Sequence, residues 1–535
     1  MNNWAQAAPI PGTINAKGRR ATVEERKPKL PRYSLPLAIG AVREKAGSRR
    51  RRGYGMWGAM PDRALLDSSW WAADPQWFPA GTPPRDNASI QILIDGRATF
   101  RAAWEAILAA QESVWLVDWA MSVTMPLVRG GDAHEVPPAT GARGPGFTVF
   151  DLLTAVAPKL DVRLLVWSGS RLFHPKAALA RQGIAELRQA NPRIRGVQDR
   201  HKKWSHCHHQ KAIVVDGNIA FVGGLDMTNF DVDRWDTTDH PVRSGLNWHD
   251  LCLRLEGEAA RDVARNFVQR WEAATDEPLA PTTPMKGQTP VVGSSKVQIV
   301  RTICADAYSF APKGEFGIAW AYRAAILAAR SFIYLENQYL WSPAVVDELI
   351  AALKRVPDPD FRVVLVLPAR PNIGKGDTDV HVRKLLAADE VGRVRVFTLY
   401  TAAQGKKGAW TYKPIYVHAK VAIVDDQWFT VGSANLNGRG LEGDSELNVQ
   451  VRDPELARAL RLRLWAEHLG LPEATVASLP AVQAVDKLWT PLATHARQVI
   501  DGRQGQLGCM AVRYDTGTMP ADFSLGELEA QILDR

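Results

Sequence analysis

Two stretches of this chain follow one pattern: His209-Gln210-Lys211-Ala212-Ile213-Val214-Val215-Asp216 and His418-Ala419-Lys420-Val421-Ala422-Ile423-Val424-Asp425. Each reads His, any residue, Lys, four residues, Asp, and each reaches a small-residue pair, Gly223-Gly224 or Gly432-Ser433, at the same offset beyond the Asp. The Val- and Ile-rich middle predicts a strand on which His and Lys share one face. His174-Pro175-Lys176 lacks the pattern, because Arg181 stands where the Asp would be. The repeat therefore predicts an internal duplication.

The four repeated basic side chains suit the chemistry of a phosphodiester. One imidazole attacks phosphorus when its second nitrogen is held by a hydrogen-bond acceptor, and a second, protonated imidazole gives a proton to the leaving alkoxide. Two lysines would stabilise the charge on the non-bridging oxygens, so the sequence predicts no metal and no cofactor for this reaction. We assign His209 as the nucleophile and His418 as the general acid, although symmetry allows the reverse. The alternative is two ordinary strands, which the rarity of unpaired buried lysine disfavours.

The wider sequence resembles the phospholipase D superfamily, and its eukaryotic-type members in particular, over roughly residues 88–275 and 296–470. The double His-Lys-Asp motif matches position by position. The flanking segments that match are Phe221–Asp226, Arg234–Thr237, His240-Pro241, Trp248–Asp250, Ile333–Gln338, Gly432–Asn437, Asp444–Glu446 and Trp465–Gly470. The resemblance suggests a eukaryotic-type enzyme of bacterial origin.

The resemblance implies the remaining site residues. Asp250 is expected to orient His209, and Glu446 to orient His418, one carboxylate in each half. Phosphate is expected to bind Lys211, Lys420, Ser433 and Asn435; Gly224 and Asp226 occupy the last two positions in the first half. The expected catalytic set is His209, Lys211, Asp216, His418, Lys420, Asp425, Asp250 and Glu446. Within it, Asp216 and Asp425 are expected to stabilise the motif strands, because their parity places them on the opposite face.

Matched helix and strand patterns predict an α/β fold of two duplicated halves, sandwich-like, packed around a pseudo-twofold with one active site at the seam. Ala106–Ala110 precedes Val114–Asp118 as Ala325–Ala329 precedes Phe332–Glu336, and Val162–Trp167 matches Arg362–Leu367. Amphipathic helices are predicted at Ala259–Trp271 and Pro454–Leu469. The predicted organisation is an N-terminal segment (1–87), a first half (88–278), a linker (279–295), a second half (296–475) and a C-terminal extension (476–535).

Cysteine usage and local histidine spacing bear on metals and redox compartment. Cys207, Cys252, Cys304 and Cys509 are scattered, which argues against a disulfide framework. His206-Cys207-His208-His209 could be interpreted as a metal cluster. Adjacent strand residues point to opposite faces, however, and no second ligand pair has zinc-like spacing, so no metal site is predicted.

The positive charge is concentrated at the N-terminus. Residues 1–52 hold 13 Lys+Arg and 3 Asp+Glu, so residues 53–535 hold 53 and 54 and carry a net charge of −1. A nuclease usually has a basic footprint on its body, so nucleic acid is not expected as a partner. The tail, which includes Arg49–Arg52, is interpreted as a solvated segment or as a contact to anionic membrane or a delivery partner. Trp57, Trp70, Trp71 and Trp77 are interpreted as packing on the body, with interfacial insertion as the alternative.

The predicted function is hydrolysis of a glycerophospholipid to phosphatidate and a free head-group alcohol, with transfer to other alcohols as a side reaction. The alternatives are a cardiolipin synthase-like phosphatidyltransferase, a nuclease, or an inactive scaffold, the last disfavoured by the intact motifs. The first thirty residues lack a signal-peptide pattern and the chain lacks a long apolar run. We therefore expect synthesis in the cytoplasm and peripheral action at membranes, with export by another route as a further interpretation; a secretion partner or immunity protein would accompany export.

Overall fold

A computed structural model describes residues 77–79, 81–139, 146–169, 175–203, 206–230, 232–280, 293–503 and 505–517. Most of the basic N-terminal segment, with Trp57, Trp70 and Trp71, lies outside these ranges, as do most of the predicted linker and the end of the C-terminal extension. The domain boundaries proposed above therefore stay predictions.

The first half of the fold is one mixed sheet covered by helices. Its elements are β1 (Arg85–Ile94), α1 (Asp95–Leu108), β2 (Ser113–Asp118), α2 (Asp132–Glu135), α3 (Val149–Val156), β3 (Asp161–Trp167), α4 (Pro175–Ala190), β4 (Arg195–Asp199), β5 (Ala212–Val215), β6 (Ile219–Gly223), β7 (Asn247–His249), β8 (Leu251–Glu256) and α5 (Glu258–Thr275). The strand order is β1-β8-β6-β5-β2-β3-β4, with β2, β3 and β4 parallel and the other pairs antiparallel.

The second half repeats this arrangement. It contains β9 (Ser295–Ile303), β10 (Glu315–Phe316), α6 (Gly317–Ala328), β11 (Phe332–Glu336), α7 (Pro343–Arg355), β12 (Arg362–Val366), α8 (Lys375–Ala387), β13 (Val394–Gln404), β14 (Trp410–Val417), β15 (Val421–Val424), β16 (Trp428–Gly432), β17 (Glu446–Arg452) and α9 (Pro454–Leu469). The order β9-β17-β16-β15-β11-β12-β13 matches the first sheet strand for strand. Strands β11, β12 and β13 are parallel, and the other pairs are antiparallel. The predicted duplicated α/β fold is confirmed.

The two halves are joined through their sheets and share a hydrophobic core. Strand β1 pairs with β9, and β7 of the first half pairs in parallel with β14 of the second. Buried side chains of both sheets pack with α5 and α9 in one continuous apolar cluster. The predicted amphipathic helices 259–271 and 454–469 correspond to α5 and α9 and supply this contact.

The C-terminal extension packs on the second half. It forms α10 (Glu473–Ala477), α11 (Ala481–Ala484), a π-helical segment (Val485–Trp489), α12 (Thr490–Gly502) and β18 (Ala511–Arg513), which pairs antiparallel with β13. Trp489 is buried in ring contact with Tyr334, Phe397 and Trp465. Within the ranges given above, no helix is long and apolar enough to cross a membrane.

Candidate active site

The His-x-Lys residues lie just before their strands, which corrects the prediction that they form part of them. β5 begins at Ala212 and β15 at Val421, each one residue after the motif lysine. The backbone of each histidine is instead bonded to the other half: His209 N–H donates to Ser445 O (2.8 Å) and His418 N–H donates to His249 O (2.8 Å). These bonds place both motifs at the seam between the halves.

The carboxylates that hold the two imidazoles are exchanged between halves relative to the expectation. His209 Nδ1 lies 2.9 Å from Glu446 Oε1, and His418 Nδ1 lies 2.6 Å from Asp250 Oδ2. The predicted pairs, Asp250 with His209 and Glu446 with His418, are wrong. The physical reason is the same cross-half backbone bonding, since Ser445 and His249 directly precede the two carboxylates in the chain. In both pairs, an Nδ1–H donated to the carboxylate leaves Nε2 free.

Each motif lysine turns back onto its own histidine. Lys211 Nζ donates to His209 O at 2.8 Å, and Lys420 Nζ donates to His418 O. Both lysines are buried, and Lys211 Nζ also lies 3.4 Å from Asp226 Oδ1. Each motif lysine therefore binds the backbone carbonyl of its own histidine.

The supports of the two carboxylates differ between the halves. Ser433 Oγ donates to Glu446 Oε2, and so the only hydroxyl proton of Ser433 is already engaged. Gly224 stands at the corresponding position, where a Cβ would lie only 2.2 Å from Asp250 Oδ1. Asp250 therefore fills the space that a side chain takes in the other half, and its Oδ1 accepts from Leu251 N–H at 2.9 Å.

Burial and the nearby positive charges shift the pKa values of the groups around the second motif. Burial lowers the pKa of Lys420 to about 7, although Asp250 opposes the change, and burial raises the pKa of Asp250 to about 7 against the attraction of Lys420. Burial, with the charges of Lys420, Arg234 and Lys211, lowers the pKa of His418 well below its usual value. The free site therefore holds His418 neutral, and an arriving phosphate anion would favour its protonation.

Two further buried carboxyl groups, those of Asp118 and Asp226, lie near Lys211. Burial and the neighbouring Asp226 raise the pKa of Asp118 well above its usual value. Burial alone would raise the pKa of Asp226, but Lys211 lowers it. The pKa of Asp118 is therefore raised and that of Asp226, which faces Lys211 at 3.4 Å, is lowered.

Asp216 and Asp425 lie at the far ends of the motif strands. Each has a left-handed backbone (φ 52° and 54°), and its carboxylate accepts three backbone N–H bonds from the segment before the neighbouring central strand. The donors are Gln111, Glu112 and Ser113 for Asp216, and Arg330, Ser331 and Phe332 for Asp425, at 2.7–2.9 Å. Both carboxylates therefore bind backbone amides and tie β5 to β2 and β15 to β11.

Aromatic side chains that were not among the predicted site residues contact the site. Trp119 meets the His209 ring edge-on (5.9 Å) and lies 5.6 Å from Lys211 Nζ, while Trp248 packs on His418 (4.5 Å). Arg234 stacks on Trp248 with its guanidinium carbon 4.0 Å from the ring. The available signal for Trp119 was its place directly after β2, at the carboxyl end of a parallel strand, where ligands bind in such sheets.

The histidines of the segment His206–His209, for which no metal site was predicted, each have a different partner. His206 stacks on His201 (5.5 Å), His208 Nδ1 lies 2.8 Å from Ser445 Oγ, and His209 faces Glu446.

Asn435 is buried and its Oδ1 has no hydrogen-bond partner. This oxygen is an acceptor, so a phosphate, whose oxygens also accept, would need the Nδ2–H donors of Asn435 instead.

Two family models match the chain: "Phospholipase D" at residues 243–345 and "Cardiolipin synthase, PLD-like domain" at residues 322–466. Phospholipase D A of Dictyostelium discoideum is 28% identical over 475 residues, covering 73% of this chain and 36% of that protein. Phospholipase D alpha 4 of Arabidopsis thaliana is 26% identical, with 73% and 68% covered. Phospholipase D1 of Saccharomyces cerevisiae is 24% identical, with 74% and 30% covered.

Both family models and all three relatives are phospholipase D or phospholipase D-like, and together they support the phospholipase D superfamily for this chain. It spans 36% of the length of the Dictyostelium relative and 30% of the yeast one, so it corresponds to a part of those proteins. Among solved structures, phosphatidylserine synthase of Haemophilus influenzae Rd KW20 aligns with a TM-score of 0.47 at 14% identity, covering 70% of this chain and 84% of that one.

Proposed function

We propose that this protein is a phospholipase D-type phosphodiesterase that hydrolyses glycerophospholipids to phosphatidate and a free head-group alcohol. The observation that carries the proposal is the pair of imidazoles, each held at Nδ1 by a carboxylate of the other half and flanked by a buried lysine. Phospholipase D relatives from a slime mould, a plant and a yeast support the same substrate class.

In the proposed first step, His209 Nε2 attacks phosphorus as the bond from phosphorus to the head-group oxygen breaks. The alkoxide takes the proton of His418 Nε2, which leaves phosphatidyl-His209 and neutral His418. Glu446 accepts from Nδ1–H of His209 and stabilises the positive charge that develops on the ring. Asp250 does the same for protonated His418.

In the second step, neutral His418 accepts a proton from water, whose oxygen attacks phosphorus and releases His209 and phosphatidate. An alcohol in place of water gives transfer, so both reactions use one intermediate. Lys211 and Lys420 supply positive charge to the non-bridging oxygens in both transition states. Asn435 completes the proposed phosphate contacts as a donor through Nδ2, and Ser433 acts by holding Glu446.

The aromatic surroundings favour a substrate with an apolar portion. Trp119 is half-buried beside His209, and Trp248 with Tyr416 forms a stacked pair beside His418 (4.9 Å). The near-neutral charge of residues 53–535 does not provide the basic footprint that a phosphate backbone requires. Lipid at a membrane surface is therefore our proposed substrate, and peripheral contact with membrane follows from it.

A cardiolipin synthase-like transfer is the second candidate, because the matching family model carries that description over 322–466. Its acceptor would be the hydroxyl of a second phospholipid head group. From the sequence alone we also propose that the protein is exported, with a secretion partner or an immunity protein accompanying the export.

The deciding experiment presents vesicles of phosphatidylcholine, phosphatidylethanolamine and phosphatidylglycerol to the full chain, with plasmid DNA in a parallel reaction. We expect phosphatidate and free head group, absent with His209→Ala and retained with the exposed-histidine control His134→Ala. Cardiolipin as the main product would favour the transferase. Cleavage of DNA with intact lipid would overturn the proposal.

A further inference from the structure

A group of histidines and carboxylates lies buried next to the active site without being part of it. Its members are Asp95 at the start of α1, His240 in the segment before β7, His249 at the end of β7 and Glu467 in α9. The first three side chains have no exposed surface, and that of Glu467 is 6% exposed. Three members come from the first half and one from the second.

The possible ligand atoms of this group, one from each residue, all lie within 4.8 Å of one another. His240 Nε2 lies 3.2 Å from Asp95 Oδ2 and 3.5 Å from Glu467 Oε1, and His249 Nδ1 lies 3.2 Å from the same Glu467 oxygen and 3.1 Å from Asp95 Oδ1. Ligand atoms about 2.0–2.1 Å from a tetrahedral zinc ion are about 3.3–3.4 Å from one another. For the set His240 Nε2, Asp95 Oδ2, Glu467 Oε1 and His249 Nδ1, the distances of 3.2, 3.5 and 3.2 Å are close to three of the six edges of such a tetrahedron.

These atoms are poorly satisfied by hydrogen bonds. Asp95 Oδ2, His240 Nε2, His249 Nδ1 and Glu467 Oε1 are buried and accept or donate no well-aligned hydrogen bond, although they lie close together. A buried polar atom left without a partner is costly, so a site with four such atoms aimed at one another requires either protons or a cation between them.

The outward-facing nitrogens of both imidazoles have carboxylate partners. His249 Nε2 is hydrogen-bonded to Glu336 Oε2 at 2.9 Å, and His240 Nδ1 lies at ion-pair distance, 3.1 Å, from Asp236 Oδ2 without a well-aligned hydrogen bond. Glu336 is fixed in turn by His468 Nε2 at 3.1 Å. A carboxylate on the far nitrogen is the usual support of a metal-bound histidine, because it fixes the tautomer and the ring orientation.

We propose that Asp95, His240, His249 and Glu467 bind one divalent transition-metal ion of the zinc class, as a structural site that links the two halves. Two carboxylates balance the charge of the ion, and two neutral imidazoles complete a four-coordinate N₂O₂ set. The site does not touch the reacting phosphate. It lies beneath the active site, since Asp95 Oδ1 accepts from Asp250 N–H at 3.1 Å.

The competing explanation is that the histidines are protonated. Burial opposes the charged form, but Asp95 and the other carboxylates raise the pKa of His240 and of His249 well above their usual values. Two protons could therefore fill the role of the ion. The two cases differ in metal content and in the response to chelation.

The test measures metal in the untagged full chain by inductively coupled plasma and native mass spectrometry, after gel filtration. We expect about one zinc-class ion per chain, and a lower melting temperature after prolonged treatment with a strong chelator. Cobalt restored to the stripped protein should show the intense visible bands of a four-coordinate site.

Variants assign the ion to this group. His240→Gln and Glu467→Gln should lose it, and Asp236→Asn should weaken binding by about 10–100-fold. The exposed His134→Ala should keep it. The proposal is overturned if the folded wild-type chain holds no metal and its melting temperature responds to neither chelator nor zinc. This outcome does not depend on whether the variants fold. The proposal is also overturned if folded His240→Gln and Glu467→Gln retain the metal. Lipid hydrolysis is not a readout, so this outcome is independent of the proposed function.

Discussion

His209 and Glu446 stand 237 positions apart in the chain, yet Nδ1 of the first lies 2.9 Å from Oε1 of the second. The reciprocal contact, His418 with Asp250, spans 168 positions in the opposite direction. Neither half therefore contains a complete histidine–carboxylate pair. The duplicated chain makes one active site because each half supplies the orienting carboxylate for the histidine of the other.

The crossed pairing predicts which variants behave alike. Glu446→Gln should share the kinetic defect of His209→Ala, and Asp250→Asn that of His418→Ala, with losses on the order of 10²–10⁴-fold. A nitrophenol leaving group needs little protonation, so it should rescue the His418 and Asp250 variants far better. The measurement is kcat/KM on two substrates across four variants. If the His209 and Glu446 variants are rescued instead, His418 is the nucleophile and His209 is the general acid.

The pKa of Lys420 predicts a loss of activity with rising pH. Because burial lowers that pKa to about 7, Lys420 is charged below pH 7 and loses its charge above it in the free protein. The ratio kcat/KM reports the free enzyme, so it should fall as the pH rises through about 7. Lys420→Arg, which stays protonated, should flatten this fall even if its maximum is lower. A wild-type profile that remains level well above pH 7 would contradict the assignment.

Gly224 and Ser433 should respond differently to alanine. Gly224→Ala places a Cβ 2.2 Å from Asp250 Oδ1, so Asp250 must move and turnover should be nearly abolished. Ser433→Ala removes one hydrogen bond to Glu446, which is worth about 1.5–3 kcal/mol, so a loss of roughly 10–100-fold is expected. Steady-state kinetics with circular dichroism as a folding control would compare them. Equal losses in two folded variants would show that these positions do not differ as described.

Asp216 and Asp425 should matter for stability rather than for chemistry. Asp425→Ala leaves three backbone N–H groups without their acceptor and should lower the free energy of unfolding by about 1–3 kcal/mol or more. The folded fraction should keep near-normal kcat, and Asp425→Asn should be milder because one carbonyl oxygen remains. Denaturant unfolding and single-temperature kinetics are the measurements. A fall in kcat of the folded protein comparable to that of His209→Ala would place Asp425 in the chemistry.

Much of the fold followed from local pattern. Alternating and continuous apolar runs predicted the central strands, and the matched helix–strand order predicted the duplication, because these signals arise from residues close together in the chain. The strand boundaries at the motifs were missed. His209 and His418 have strand-like neighbours, but their backbone groups bond to the other half, which no local pattern records.

The sequence by itself determined which side chains we propose for the chemistry, since the two His-x-Lys pairs repeat at one spacing in the chain. Only the tertiary structure decided how they combine. The carboxylate that holds each histidine, the space that Gly224 leaves for Asp250, and the meeting of Asp95, His240, His249 and Glu467 all depend on contacts between segments far apart in the chain. Such contacts are set by the packing of the two sheets and of α9 around one core, and a short sequence pattern carries no information about them.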